Sequence, residues 1–256
     1  MTTFDLDRIR AALPGLRLDY HAELGSTNSY ALELARRGDV EPRLILAGEQ
    51  TAGRGRGANR WWSADGCLTF TLLAPTEFVA ANLRSLTALV VGAAVAETLE
   101  DLAPQIPVGL KWPNDVYLSG RKVCGVLIET VSAPTAALAI GVGLNVNNSF
   151  AQAPAELRAT ATSLTDELAR TLDAGDVLIA VVRRMRERLQ EASLTSEAFV
   201  QMWRRYCILS DLIVQIDASG RTLTGRCRGI DVDGSLLLDT ESGVEHCRVG
   251  TVVDWQ

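Results

Sequence analysis

The stretch "VGLKWPNDVYLSGRKVCGVLIET" (residues 108–130) decides how the chain is read. It reads as a short strand, a Pro113-Asn114-Asp115 turn and a hairpin closed at Ser119-Gly120, a dipeptide suited to a two-residue loop. Pro113 fixes φ and stiffens the turn. Asn114 and Asp115 have short polar side chains that bond neighbouring backbone, which is their plain structural role. The stretch also holds a compositional outlier. Of 25 basic residues, 23 are Arg, and the two lysines, Lys111 and Lys122, both fall here. An ammonium is a compact point charge and a guanidinium a planar fork. In a chain that otherwise uses arginine, the two lysines mark candidate positions for a compact cation; chance placement is the plain alternative.

Upstream, residues 16–23 alternate as a strand, and 25–37 read as a helix capped by Ser26 or Thr27 with Leu32, Leu34 and Ala35 facing inward. Strands follow at 43–50 and 66–74, then a buried helix over 82–102. Downstream, 136–147 read as a strand interrupted by Gly141 and Gly143; glycine within a strand often marks close approach of a ligand or another backbone. Residues 176–192 read as an amphipathic helix, with Leu178, Val182, Met185 and Leu189 inward and Arg183, Arg184, Arg186 and Arg188 on a solvated face. From about 210 the pattern changes to short strands with turns at Ser219-Gly220, Asp233-Gly234 and Ser242-Gly243, as in a small all-β barrel or sandwich. The expected domains are 1–208 and 209–256.

Composition bounds the function. The 256 residues are 47% hydrophobic and 22% charged, enough for a true core, and the formal net charge is −6. A general nucleic-acid binder is usually basic. The N-terminus lacks a signal-peptide pattern, and the longest apolar run, 86–99, is too short to span a bilayer. The five cysteines are scattered with no C-x-x-C pair, which suits reduced thiols in the cytoplasm. The only histidines, His21 and His246, lie far apart, against a His-rich metal site and against Ser-His or Cys-His catalysis.

The stretch "TAGRGRGANRWW" (51–62) carries charge of another kind. Gly53, Gly55 and Gly57 let backbone approach a ligand, while Arg54, Arg56 and Arg60 add guanidinium forks suited to carboxylate and phosphate. The spacing is neither a dinucleotide fingerprint nor a P-loop. A flexible basic surface loop is the plain alternative. Trp61 and Trp62 are expected to split roles, one anchoring the core and one stacking on a planar ring. Phosphate-binding cations, a stacking ring and glycine-lined strands together fit nucleotide-driven activation of a carboxylic acid, whose main demand is to align two anions and stabilise charge.

The ordered set "STN" (26–28), "EQTAGRGR" (49–56), Trp61, "KWPND" (111–115), "RKVCG" (121–125), "GVGLN" (141–145) and "GRCRGIDVDGSLLL" (225–238) resembles the biotin protein ligase family from about residue 20 to the C-terminus. The resemblance implies an α+β fold: a mixed β-sheet catalytic domain flanked by helices, related to class II aminoacyl-tRNA synthetases and lipoate ligases, with a small C-terminal all-β Src-homology-3-like barrel. It implies formation of biotinyl-5′-AMP from biotin and ATP and transfer of biotin to one lysine of a biotin carboxyl carrier protein. The implied biotin-binding residues are Ser26, Thr27, Gln50, Gly53, Arg54, Lys122, Gly125 and Gly141. The implied ATP-binding residues are Arg56, Trp61, Lys111, Asn114, Asp115, Asn145 and Arg228. Lys122, Arg56 and Asp115 are the catalytic candidates. Mg²⁺ would come with ATP, near Asp115, without a site fixed by protein alone. The arginine loop would be disordered without ligand and ordered by it.

The chain departs from the family's G-R-G-R-x-G-R-x-W: Gly57, Ala58 and Asn59 stand for x-G-R, and the third arginine is Arg60. Only 25 residues precede Ser26, so no DNA-binding domain and no nucleic-acid partner are expected. The resemblance allows a homodimer. A lipoate or octanoate ligase, a biotin-sequestering protein and an RNA-binding protein are the alternatives.

Overall fold

Strand parity positions the site. The computed structural model describes residues 4–132, 135–191, 193–218 and 220–256. Helix α1 (Leu6–Ala12) leads into β1 (Arg17–Leu24), α2 (Thr27–Arg36) and β2 (Arg43–Gln50), a unit in which β1 and β2 run parallel. Strand β3 (Cys67–Pro75) precedes α3 (Thr87–Leu102), and β4 (Val108–Lys111), β5 (Asp115–Leu118), β6 (Arg121–Val131) and β7 (Ala137–Asn145) follow. The seven strands form one sheet ordered β1-β2-β3-β7-β6-β5-β4, antiparallel everywhere except between β1 and β2. The β5–β6 turn has positive φ at Ser119 (47°) and Gly120 (76°), as expected of a tight two-residue hairpin.

Side chains alternate across a strand. On β7, Leu138, Ile140, Val142 and Leu144 enter the principal core, as do Leu68, Phe70 and Leu72 of β3 and Cys124 and Val126 of β6. Against this face packs α3, and α6 (Ala174–Gln190) and α7 (Ser196–Tyr206) pack on α3 and complete the same core. The opposite parity carries small and polar residues. Ala31, Leu32 and Ala35 of α2 pack on Ile45, Leu73, Ala137 and Ala139. The alanines admit the helix closely, and its first turn ends over Gly141, where a Cβ would lie 2.1 Å from Asn28 Oδ1.

After the short helices α4 (Ala155–Thr160) and α5 (Leu164–Leu168), α6 and α7, the chain forms β8 (Ile213–Ala218), β9 (Arg221–Ile230), β10 (Leu236–Thr240), β11 (Gly243–Cys247) and β12 (Thr251–Trp255). These make a separate antiparallel sheet ordered β11-β10-β9-β8-β12. Its inner residues, among them Val214, Ile216, Ile230, Leu238 and Val252, join the principal core. Trp112 Nε1 donates to Gly234 O at 3.0 Å, tying the two sheets together beside β4.

Several expectations need correction. The helix expected over 82–102 is a 3₁₀ segment (Ala81–Leu86) followed by α3. Leu83 and Leu86 are fully buried, so the tight turn serves the core. The α6 arginines are not simply solvated. Arg183 and Arg186 donate to the carbonyls of Ala12, the last residue of α1, and Pro14 just beyond it, while Arg184 and Arg188 pair with Glu97 on α3. Helices α1, α4, α5 and α7 were not expected. For α7 a signal existed: Thr195 caps the helix, and Phe199, Val200, Trp203 and Tyr206 recur at helical spacing on its buried side. Ser219, named as a turn residue, lies outside the described residues. No helix among the described residues is long and apolar enough to cross a membrane.

Candidate active site

A cavity of about 290 Å³ opens on the small-residue face of the large sheet. Its floor is the cross-strand pair Gly125 and Gly143 of β6 and β7. The Trp61 indole lies on that floor; a Cβ at Gly143 would be 2.4 Å from Trp61 Cε2, and one at Gly125 would be 3.3 Å from Cζ3. Only glycine lets the ring lie against the strands. Trp62 packs elsewhere, against Phe150, so the two tryptophans do divide. Both sit in irregular backbone and not on a strand, so the division comes from the loop's path.

One end of the cavity is neutral and rich in hydrogen bonds. Ser26 caps α2. The Thr27 N–H and hydroxyl donate to Gln50 Oε1 at 2.7 and 3.1 Å. Thr71 Oγ1, behind them, contacts Thr27 Oγ1 at 2.8 Å and Asn28 Oδ1 at 2.6 Å. Asn28 Nδ2 donates to Leu127 O and to Glu129 Oε2. These groups are buried or half-buried, and an unmade bond there costs its full desolvation, about 1–3 kcal/mol.

The other end is cationic. Arg56, Arg60, Lys111 and Lys122 line it, against one carboxylate, Asp115; a fifth cation of the wall, Arg54, lies beside the first turn of α2. Lys122 Nζ lies 2.6 Å from Asp115 Oδ1. Lys111 Nζ donates to Val252 O at 3.4 Å and stands 3.9 Å from the centroid of the Trp255 ring. Burial lowers the Lys111 ammonium below its usual range, with Lys122 adding repulsion and Asp115 opposing. Burial likewise lowers Arg56, partly offset by Asp115. Asn114 Nδ2 donates to Val126 O at 2.7 Å, and Val126 N–H to Asn114 O at 2.9 Å, so the Pro-Asn-Asp turn is braced on β6. Thiol chemistry has no support here: burial pushes the Cys67 thiol up to about 12 and raises Cys124 further.

The arginine loop folds as a tight hairpin. Gly55 N–H donates to Asn59 O and Trp61 N–H to Gly53 O. Arg54 pairs with both oxygens of Glu129, at 2.7 and 3.0 Å. Arg56 reaches Asn114 Oδ1 at 3.4 Å and Gly250 O at 3.1 Å.

Ser26, Thr27, Gln50, Arg54, Arg56, Trp61, Lys111, Asn114, Asp115, Lys122, Gly125 and Gly141 thus converge on one cavity. Three named residues do not line it. Gly53 is buried behind Trp61, where a Cβ would be 2.7 Å from Trp61 O. Asn145 is turned into the protein, donating to Thr162 O and accepting from Asn148. Arg228 is exposed on β9 and pairs with Asp239. The small sheet instead presents Thr251 and Val252 of β12. Asn28, named only within the STN motif, and Asn59, named only as a departure from the family's loop, line the cavity with no role expected of them, as do Thr251 and Val252. For Asn28 a signal existed, its place in the first turn after the Ser26 cap; for β12 only tertiary packing brings it there. Among the described residues no group of three or more His, Cys, Asp or Glu side chains could hold a metal ion.

Comparison with known proteins bears on this arrangement. Residues 23–147 match the model of the Biotin/lipoate A/B protein ligase family, and 213–253 match that of the biotin protein ligase C-terminal domain. The biotin–[acetyl-CoA-carboxylase] ligase of Mycobacterium tuberculosis is 33% identical over 96% of this chain and 92% of its own length. The bifunctional ligase/repressor BirA of Bacillus subtilis is 30% identical over 93% of this chain and 74% of its own. The structure of Aquifex aeolicus biotin protein ligase in complex with biotin and ATP superposes with a TM-score of 0.78 at 30% identity, covering 94% of this chain and 98% of that one. Relatives of this identity over nearly the whole chain, sharing both folded units, establish that this chain belongs to the biotin protein ligase family.

Proposed function

We propose that this chain is an ATP-dependent, AMP-forming biotin–[biotin carboxyl carrier protein] ligase. The biotin carboxylate attacks the α-phosphorus of ATP, pyrophosphate leaves, and biotinyl-5′-AMP forms. The ε-amine of one carrier lysine then attacks the acyl carbon, and AMP leaves. One observation carries the reading: a single cavity joins a neutral hydrogen-bonding end to a cluster of Arg and Lys side chains, with a tryptophan ring lying across its glycine floor.

In this reading Ser26, Thr27 and Gln50 hold the neutral ring system of biotin, over Gly125 and Gly141. Lys122, held beside Asp115, sits where carboxylate and α-phosphate must meet; its charge offsets their repulsion and the charge that builds at phosphorus. Arg56, Lys111 and Asn114 attend the nucleotide, and Trp61 shields the acyl-adenylate from water. Mg²⁺ would come with the triphosphate and offset its charge, and Asp115, the one carboxylate on the cavity wall, would be the residue to hold it. The chain divides at 208 into a catalytic domain and a C-terminal domain that supplies β12 to the nucleotide end. The protein acts in the cytoplasm on a carrier domain, without nucleic acid, and a homodimer is the assembly proposed.

The test is biotin-dependent exchange of labelled pyrophosphate into ATP by the wild type and by Lys122→Ala. Exchange with biotin but not with lipoate, lost in the variant, supports the reading. Biotin binding without exchange favours a sequestering protein and sinks it.

A further inference from the structure

Glu129 stands on β6 two residues beyond Leu127, with the parity of the cavity face, yet it is not part of the cavity wall. Both of its oxygens are taken. Oε1 accepts from Arg54 Nη2 at 2.7 Å; Oε2 accepts from Arg54 Nη1 and from Asn28 Nδ2, each at 3.0 Å. Arg54 Nη1 also lies 3.3 Å from Ser29 Oγ. The fork of Arg54 is therefore spent on Glu129 and on the first turn of α2. Its partner Asn28 is bonded through Thr71 to Thr27, and Thr27 to Gln50, the residues that form the neutral end. Two residues after Arg54, Arg56 spans to Asn114 and to Gly250 of the C-terminal domain, and Trp61 follows on the glycine floor.

We propose that Glu129 is a positioning residue that latches the arginine loop through Arg54, and so sets how long the acyl-adenylate is retained. This rests on the ligase reading above and deepens it. Arg54 acts as the loop's anchor, and the cations left for the substrates are Arg56, Arg60, Lys111 and Lys122. A bidentate guanidinium–carboxylate pair is geometrically exacting, so lysine at position 54 cannot reproduce it. The pair is part-exposed, Arg54 by 42% and Glu129 by 22%, which keeps its effect modest.

The experiment compares wild type, Glu129→Gln, Arg54→Lys, Arg54→Ala and the double variant Glu129→Gln/Arg54→Ala. Two quantities are read: the rate at which preformed labelled biotinyl-5′-AMP leaves the protein, and the rate at which trypsin cuts the unliganded protein after Arg56 and Arg60, sites that every variant keeps. Each single variant is expected to speed both by about three- to tenfold. The double variant should be no worse than Arg54→Ala, because both substitutions remove one shared interaction. The KM for biotin should rise more than kcat falls. Arg54 is surface-placed, so its variants fold even if Glu129→Gln is less stable. Unchanged release and unchanged cutting in Glu129→Gln and Arg54→Lys overturn the latch, as do single effects that simply multiply in the double. Failure of the ligase reading looks different: the wild type then shows no biotin-dependent exchange, whereas trypsin still reports on the loop.

Discussion

Lys122 Nζ lies 2.6 Å from Asp115 Oδ1, an ion pair between adjacent strands β6 and β5 in a cavity wall that holds four further cations. The pair fixes the ammonium where it faces the cavity and keeps Asp115 from standing as an unpaired half-buried charge. Of the four, Arg54 is balanced by Glu129 behind the wall, and Arg56, Arg60 and Lys111 are left to receive anions.

Removing that ammonium should stop the first step. Lys122→Ala is expected to lower kcat/KM for biotin-dependent pyrophosphate exchange by about 10²–10³-fold, the usual loss on deleting a group aimed at developing charge. Lys122→Arg should restore little, because the planar fork does not occupy the position of a compact ammonium beside Asp115. Initial rates of exchange at varied biotin check both.

The glycine floor can be filled by one methyl. Gly143→Ala places a Cβ 2.4 Å from Trp61 Cε2, so the indole must leave the strands. An overpacking cost of about 1–3 kcal/mol is expected in closing the site. It should appear as a raised KM for biotin and a shift in Trp61 fluorescence, with Trp61→Phe as the spectral control.

Alkaline pH tests Lys111. Burial lowers its folded pKa below the ordinary 10.5, so its charge is lost before that of an exposed lysine. The KM for ATP should therefore begin to rise below pH 10.5, and Lys111→Arg should move that rise to higher pH. Between the folded pKa and 10.5 the unfolded chain binds more protons at this residue. Its contribution to stability therefore grows as pH rises through that window.

The C-terminal strand should matter to the nucleotide end. Trp255 holds Lys111 by a cation–π contact at 3.9 Å, of a kind worth roughly 0.5–2 kcal/mol. Trp255→Ala is expected to raise the KM for ATP by about two- to tenfold while leaving the KM for biotin nearly unchanged. Steady-state exchange with each substrate varied in turn separates the two.

Much of this architecture is legible in local sequence because local physics specifies it. The Ser119-Gly120 turn, the Ser26 cap and the alternating strands at 43–50, 66–74 and 136–147 each declare themselves within ten residues. The concentration of both lysines in 111–122 is visible from composition, and both reach the cavity. Helix α7 was legible and missed, while the α6 arginines were misread because their partners on α1 and α3 lie far off in sequence.

Sequence by itself determined the strands, the turns, the family resemblance and most of the cavity wall, since each rests on residue type at short spacing. Only tertiary structure decided which residues meet. Asn145 reads as well as Asn114, yet it faces Thr162 because of where β7 ends. The resemblance implies Arg228 as a nucleotide contact, yet it stands exposed on β9 beside Asp239, and β12 lines the cavity instead. Glu129 carries no motif of its own and acquires its partners from α2 and from a loop 75 residues earlier. Contacts across such separations depend on strand order and register, and no window of local sequence encodes them.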